Sequence, residues 1–446
     1  MPSQHTSQRI KSLTLALSVA SAMGATAAQA APQDQQTIDA LRAELQQMQQ
    51  RLERLEHQQT ANETTTDQAT TDETIGTDAS ATRTIAEENR SLLEEMRQVE
   101  FSGLLEFGYN YQDWSEGSKE KAGDLGFGKL VLGVEGDHDD FLYSMEYRFY
   151  DGYRFLKSGW LGYQLDDANT VKAGLVQTPF GNMPYGYLGW YGNLPYLSGF
   201  NDNQNAGVLW ERSAGAWDSS LAFFKDDSLS GNEQYGANAH GGNAQGNEEV
   251  NQLAGRVAYT FDHASDASTE VNLSAKGGQL YNNNTGDSGS NWSAALGVSG
   301  SYGNWLAMAQ ATTYEYDAEN APQAQTGVSD NVLQVGAFNF DYLIPAEGEM
   351  YSASLGYNMP VNWGPVENVY FYNDFSYITP SGDYSPYGDG SGNVDNPIMN
   401  DIGVQLTAGP YYLWADVASN KNGLGYFGSR TDSWNTQFIT TFGVNF

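Results

Sequence analysis

In the stretch FSGLLEFGYNYQ, residues 101–112, apolar and small side chains recur at every second position: Phe101, Gly103, Leu105, Phe107, Tyr109 and Tyr111. The intervening set is Ser102, Leu104, Glu106, Gly108, Asn110 and Gln112. The same period of two returns in FLYSMEYRF, with Phe141, Tyr143, Met145, Tyr147 and Phe149 on one face. It returns again at 434–446, with Trp434, Phe438, Phe442, Val444 and Phe446 on one parity and only Ile439 out of place on the other. A period of two is the mark of a strand with unlike faces. The eighteen apolar-face positions of these three runs carry no charge, where a chain 17% charged would place about three. The opposite face is mostly Ser, Asn, Gln, Gly and Thr rather than the Lys and Glu of a soluble sandwich. The pattern therefore predicts an all-β transmembrane antiparallel barrel over 100–446, greasy outside and wet within, because a cation facing lipid at mid-depth costs about 2–4 kcal/mol.

About seventeen segments read as strands. Single-chain bacterial barrels use even numbers, so sixteen is favoured and eighteen is the runner-up. The ambiguity sits in 304–378, where IPAEGE (344–349) and VNWGPVEN (361–368) resist assignment to sides. A barrel of this size encloses an aqueous channel. Short turns such as GDHDD (136–140) and DDAN (166–169) alternate with long loops at 179–205, 227–249 and 379–397, the asymmetry of an outer-membrane barrel. Trp114, Trp160, Trp292, Trp305 and Trp434 stand near strand ends and are expected in the interfacial girdles.

The amino-terminal quarter follows other periods. Arg9 and Lys11 precede the apolar run 13–25, and Ala28-Gln29-Ala30 fits a small-x-small cleavage site, so residues 1–30 read as a signal peptide. In 31–59, Ile38, Leu41, Leu45, Met48, Leu52 and Leu55 are spaced alternately three and four apart, a heptad seam that predicts a periplasmic α-helical coiled coil. Residues 60–99 read as a Thr-rich acidic linker followed by a second short helix. A short parallel coiled coil on a barrel implies a homotrimer.

Composition narrows the picture further. There is no cysteine, which excludes disulfide and thiolate chemistry. Lys and Arg number 21 against 55 Asp and Glu, a net charge of −34, which argues against nucleic acid as a partner. The barrel region holds three histidines, His138, His240 and His263, with the first and third in candidate short turns and the second in a long loop on the other side. No HExxH or GxSxG occurs, so an enzyme is not expected, and no cofactor motif is present. The segment DGSGNVD (389–395) alternates oxygen-bearing residues but lacks the Gly and Glu of a calcium loop, and a solvated loop is the better reading.

The candidate pore chemistry lies in 178–205, TPFGNMPYGYLGWYGNLPYLSGFNDNQN. It is long and carries one charge, Asp202, among Tyr185, Tyr187, Trp190, Tyr191, Tyr196 and Phe200. Folded inward, such a loop narrows the lumen, and its rings suit the C–H faces of sugars. By alternation, Glu146, Arg148, Lys172 and Arg212 can point inward from the bordering strands, with Lys129, Arg256 and Lys276 as weaker candidates. They would stabilise an anion in passage without trapping it.

The layout resembles the Gram-negative trimeric outer-membrane porins of the phosphate-selective O/P type, including relatives that carry an amino-terminal coiled coil and are proposed for dicarboxylates. The local matches are VKAGLVQTPFG (171–181), VENVYFYNDFSYI (366–378) and TAGPYYLWADVASNKN (407–422). The resemblance implies that Phe446 serves as an assembly signal read by the insertion machinery. It also implies a lumen rich in Lys and Arg. This chain departs from that, with 13 basic and 40 acidic residues from position 101 onward. The expectation is a porin in the outer membrane, passing small hydrophilic solutes with a mild preference for small anions. Alternatives are a sugar channel using the aromatic loop, or a structural or adhesive envelope barrel.

Overall fold

The computed structural model describes residues 99–381, 395–424 and 432–446. The signal peptide, the heptad seam, the linker and residues 389–394 of the calcium-like loop lie outside the described residues. The first half of the barrel comprises β1 (Val99–Gln112), β2 (Asp124–His138), β3 (Phe141–Phe149), β4 (Arg154–Asp166), β5 (Asn169–Gln177), β6 (Gln204–Ala214), β7 (Trp217–Asp226) and β8 (Asn247–Ala264). It continues through β9 (Ala267–Asn282), β10 (Ser288–Tyr302) and β11 (Trp305–Asp317). Then β12 (Val332–Ala337) and β13 (Phe340–Pro345) pair only with each other as a separate hairpin. The ring resumes with β14 (Glu347–Trp363), β15 (Val366–Pro380), β16 (Ile398–Ala408), β17 (Tyr411–Lys421) and β18 (Asn435–Asn445). Each barrel strand bonds antiparallel to its ring neighbours, and β18 closes on β1 with Phe107 opposite Phe442 and Leu105 opposite Val444.

Sixteen strands thus form the barrel. The difficulty in 304–378 has a simple cause: IPAEGE runs from the detached hairpin into β14, so one of its halves belongs to a loop.

All seven turns at one rim are two residues long, from Asp139-Asp140 to Gly409-Pro410. Several rest on chemistry local to the turn. Gly215-Ala216, Gly303-Asn304, Gly364-Pro365 and Gly409-Pro410 place a positive-φ glycine first, as a II′ hairpin turn requires. At DDAN, the Asp166 carboxylate accepts hydrogen bonds from the backbone N–H groups of Ala168 (2.9 Å) and Asn169 (3.0 Å) and fixes the turn locally. The long connections gather at the opposite rim, where α1 (Glu116–Lys121) follows β1 and is capped by the Ser115 side chain.

The register assigns the faces. Phe101, Leu125 and Leu161 lie on the outer face with 70–80% of their surface exposed, and Phe107, Trp217, Leu273, Leu296, Leu355, Phe375, Ile402 and Phe442 continue the exposed apolar wall. At the two-residue-turn rim, outward rings meet edge to face, as in Trp217–Tyr259 (4.7 Å) and Phe141–Tyr163 (5.0 Å). Trp160 corrects the girdle expectation: it is paired with the inward Ser144 and faces the lumen. The misfit Ile439 faces inward too, and is buried against the loops that fill that side.

Candidate functional site: the inner face of the barrel

The connection between β5 and β6 lies against the inner wall, fastened by side chains that the alternation points inward. Ser274 on β9 accepts from the Gly181 amide (2.8 Å), and Gln310 on β11 accepts from the Asn182 amide (2.8 Å). On the far wall, Asp374 of β15 takes both the Leu188 amide (3.0 Å) and the Gly189 amide (2.6 Å), while Ser376 takes the Leu194 amide (3.0 Å). Two cations complete the attachment from the other side. Arg256 donates to the Gly181 carbonyl (2.8 Å) and Lys276 to the Gly199 carbonyl (3.2 Å). A buried backbone group without a partner is costly, so each bond both satisfies the loop and fixes its path. The single helical turn α2 (Leu194–Leu197) begins with Asn193, whose side chain accepts from the Tyr196 amide (3.1 Å).

Around this loop an apolar core forms inside the barrel. Phe180, Tyr196, Leu197 and Phe200 pack with Tyr235 and with Leu333, Val335 and Ile344 of the detached hairpin, and reach Tyr314, Met350, Ile378 and Ile439 on the wall. As a result the middle inner faces of β8–β11 and β14–β18 are buried. Those of β3–β6 keep half-exposed charged and polar groups.

The half-exposed wall is lined by paired charges. Arg148 contacts Glu146 at 2.5 Å and lies over the Tyr235 ring at 4.4 Å. Lys157 stands 3.8 Å from the same Glu146 and 4.7 Å from the Tyr235 centroid. Lys172 pairs with Glu211 at 2.6 Å and sits 4.6 Å from the Trp160 centroid. Lys129 pairs with Glu106 at 3.0 Å, and Glu106 also accepts from the Tyr412 hydroxyl (2.7 Å). Asp202 accepts from the hydroxyls of Tyr235 (2.7 Å) and Tyr187 (3.2 Å). The two weaker cation candidates are also inward: Arg256 pairs with Glu270 (2.5 Å), and the buried Lys276 is 3.9 Å from Glu249.

Several sequence expectations change here. Arg212 does not point inward. It shares its face with Val208 and Trp210 on the outer wall, where its guanidinium meets Asn169 (3.3 Å); the inward residue is its neighbour Glu211. Parity along one strand cannot be transferred to the next without the register, and that is why Lys172 and Arg212 end on opposite faces. The aromatic loop offers fewer rings than its composition promised. Tyr191 and Tyr196 are 8% exposed and Tyr187 packs against the same core. Only Tyr185 (49% exposed) and Trp190 (36%) present large open surfaces.

Lys157 escaped the sequence reading altogether. Ser158 pairs with Glu146 and Leu156 with Tyr147, so Lys157 is the extra residue of a β-bulge and the parity shifts there. A signal was also available and unused: from residue 277 to residue 420 the sequence contains no Lys or Arg. Among the described residues the inward cations lie on β2–β9. The opposite wall carries Asp374, Asp401 and Asp416, all buried, with Tyr372 donating to Asp416.

No family model matches the sequence, and no curated protein matches it. Solved structures are similar at low identity. They include a trimer form of OmpT, an outer membrane protein of Vibrio cholerae (13% identity, TM-score 0.48, covering 78% of this chain and 99% of that one). They also include the outer membrane channel DcaP of Acinetobacter baumannii (10%, 0.49, 78% and 97%) and an anion-selective porin from Comamonas acidovorans (13%, 0.45, 78% and 99%). What the chain shares with them is a barrel layout.

Proposed function

We propose that the protein is an outer-membrane diffusion channel through which small hydrophilic solutes pass down their gradients. The observation that carries the reading is the inversion of faces: large apolar side chains exposed outward all round the ring, and charged and polar groups inward. Lipid is the medium that this outer wall fits. The passage runs eccentrically, between segment 178–203 and the wall of β3–β6, and the loop narrows it. The expected mild anion preference shrinks on this account. Lys129, Arg148, Lys157 and Lys172 are each set against a carboxylate, so the lining is close to neutral. A homotrimer, held in part by a coiled coil over 31–59, belongs to the same proposal.

Planar-bilayer recording tests it. Reconstituted protein should give discrete conductance steps, with a reversal potential near zero under a potassium chloride gradient. A barrel that inserts and never conducts would instead support an envelope-attachment role. Among conducting outcomes, a sugar channel is disfavoured because Tyr187, Tyr191 and Tyr196 turn their rings into the core.

A further inference from the structure

A cavity of about 210 Å³ lies between the loop and β4–β6, and its lining includes Lys157, Lys172, Asp202, Glu211, Trp160 and Tyr185. We infer that this cavity is a subsite for small zwitterions, solutes with the charge layout of an α-amino acid or a betaine. The inference rests on the diffusion-channel reading and names the solute class that reading leaves open.

Charge balance is the first reason. The cavity has two ammonium and two carboxylate groups, and each is positioned by a partner rather than free to follow a solute. Lys172 is tied to Glu211 and sits over Trp160. Lys157 lies between Glu146 and the Tyr235 ring. Asp202 is held by Tyr187 and Tyr235, with the Gln177 amide at 3.3 Å. An entering anion drawn to Lys172 meets Glu211 at the same point, and an entering cation meets the reverse. Either must compete with a formed ion pair and gains little. A zwitterion can set its carboxylate toward a lysine and its ammonium toward Asp202 or Glu211, answering both signs at once while adding no net charge to a partly desolvated site.

Size and surface agree. A cavity of about 150 Å³ admits a benzene-sized molecule, so one of 210 Å³ has room for a solute of one small ring. The half-exposed Tyr185 ring offers an apolar face for its carbon skeleton. The lining charges keep their own partners, so the hold on any solute is modest, as passage requires.

Tracer uptake into proteoliposomes of the full chain, with the membrane potential clamped at zero, decides the matter. The probes share one ring: L-proline, cyclopentanecarboxylate and pyrrolidinium. L-Proline should enter about threefold faster than either singly charged analogue, the scale of one half-exposed ion contact. Lys172→Gln should bring pyrrolidinium up toward proline, and Glu211→Gln should do the same for cyclopentanecarboxylate. If either variant fails to insert, the wild-type ranking decides alone. Equal entry of the three probes, or a lead for cyclopentanecarboxylate or pyrrolidinium, through liposomes that conduct ions overturns the zwitterion subsite and leaves the channel standing. Liposomes with inserted barrels that neither conduct nor admit any probe overturn the channel itself.

Discussion

Gly174 sits on β5 with φ of 137°, a conformation that L side chains rarely adopt. A Cβ there would overlap the carbonyl oxygen of Gly159 and lie 2.8 Å from the Cα of Trp160. The obstacle is backbone of the adjacent strand, which cannot swing away. Gly174→Ala should therefore destabilise the barrel by about 1–3 kcal/mol, visible as a lower temperature for loss of the compact band on heat-modifiability gels. A second residue-scale expectation concerns Asp227, just beyond β7. Burial pushes its carboxyl up to about 7, with the like charges of Asp226 and Glu248 adding to the effect and the Leu229 amide (2.9 Å) opposing it. A carboxyl whose folded pKa is raised holds its proton more tightly when folded. Its contribution is full below about pH 4 and is lost as pH rises to about 7. Amides of 227–246 should exchange more slowly at pH 5 than at pH 8 after correction for intrinsic rates; equal or greater protection at pH 8 would contradict this.

Among the elements, the long connections behave as one body. Loop 227–246 is joined to the hairpin β12–β13 by backbone bonds between Asn238 and Gly336 and from Phe338 to Gln234. The His240–Asp341 contact of 2.9 Å joins them as well. That contact, with Asn232, holds the Asp341 carboxyl below the usual carboxylate range despite partial burial. Segment 178–203 depends on the wall in the same way. Asp374→Ala would leave the buried Gly189 amide and the part-buried Leu188 amide without their acceptor, at a cost of about 1–3 kcal/mol for the buried one. The loop should loosen, and mean single-channel conductance should rise with noisier open levels. Unchanged conductance would mean that the other anchors suffice. None of these cross-loop bonds was legible in sequence. They join residues 90 or more positions apart with no periodicity to announce them, whereas a short turn such as DDAN was legible because the bonds that fix it lie within four residues.

For the whole molecule, the question is how the barrel relates to the heptad stripe. Deleting residues 32–98 should leave a barrel that inserts and conducts but runs as a weaker oligomer in detergent; an equally resistant oligomer would remove the helix from the assembly role. The distribution of cations is a whole-molecule property as well. Lys129, Arg148, Lys157 and Lys172 lie on the part of the ring that stays half-open, Arg256 and Lys276 are buried where the loop is fastened, and Asp374, Asp401 and Asp416 are buried on the opposite wall.

The sequence by itself determined the face that each of the three clear strands turns outward. It also marked short turns such as GDHDD and DDAN against the long loops. Each of these follows from side-chain period and from turn chemistry within a few residues. Only the tertiary structure decided that Arg212 faces out, that a bulge turns Lys157 in, and that most loop tyrosines are core rather than lining. Those outcomes depend on register between strands and on which distant wall can satisfy a loop's amides, quantities that exist only once the ring has closed.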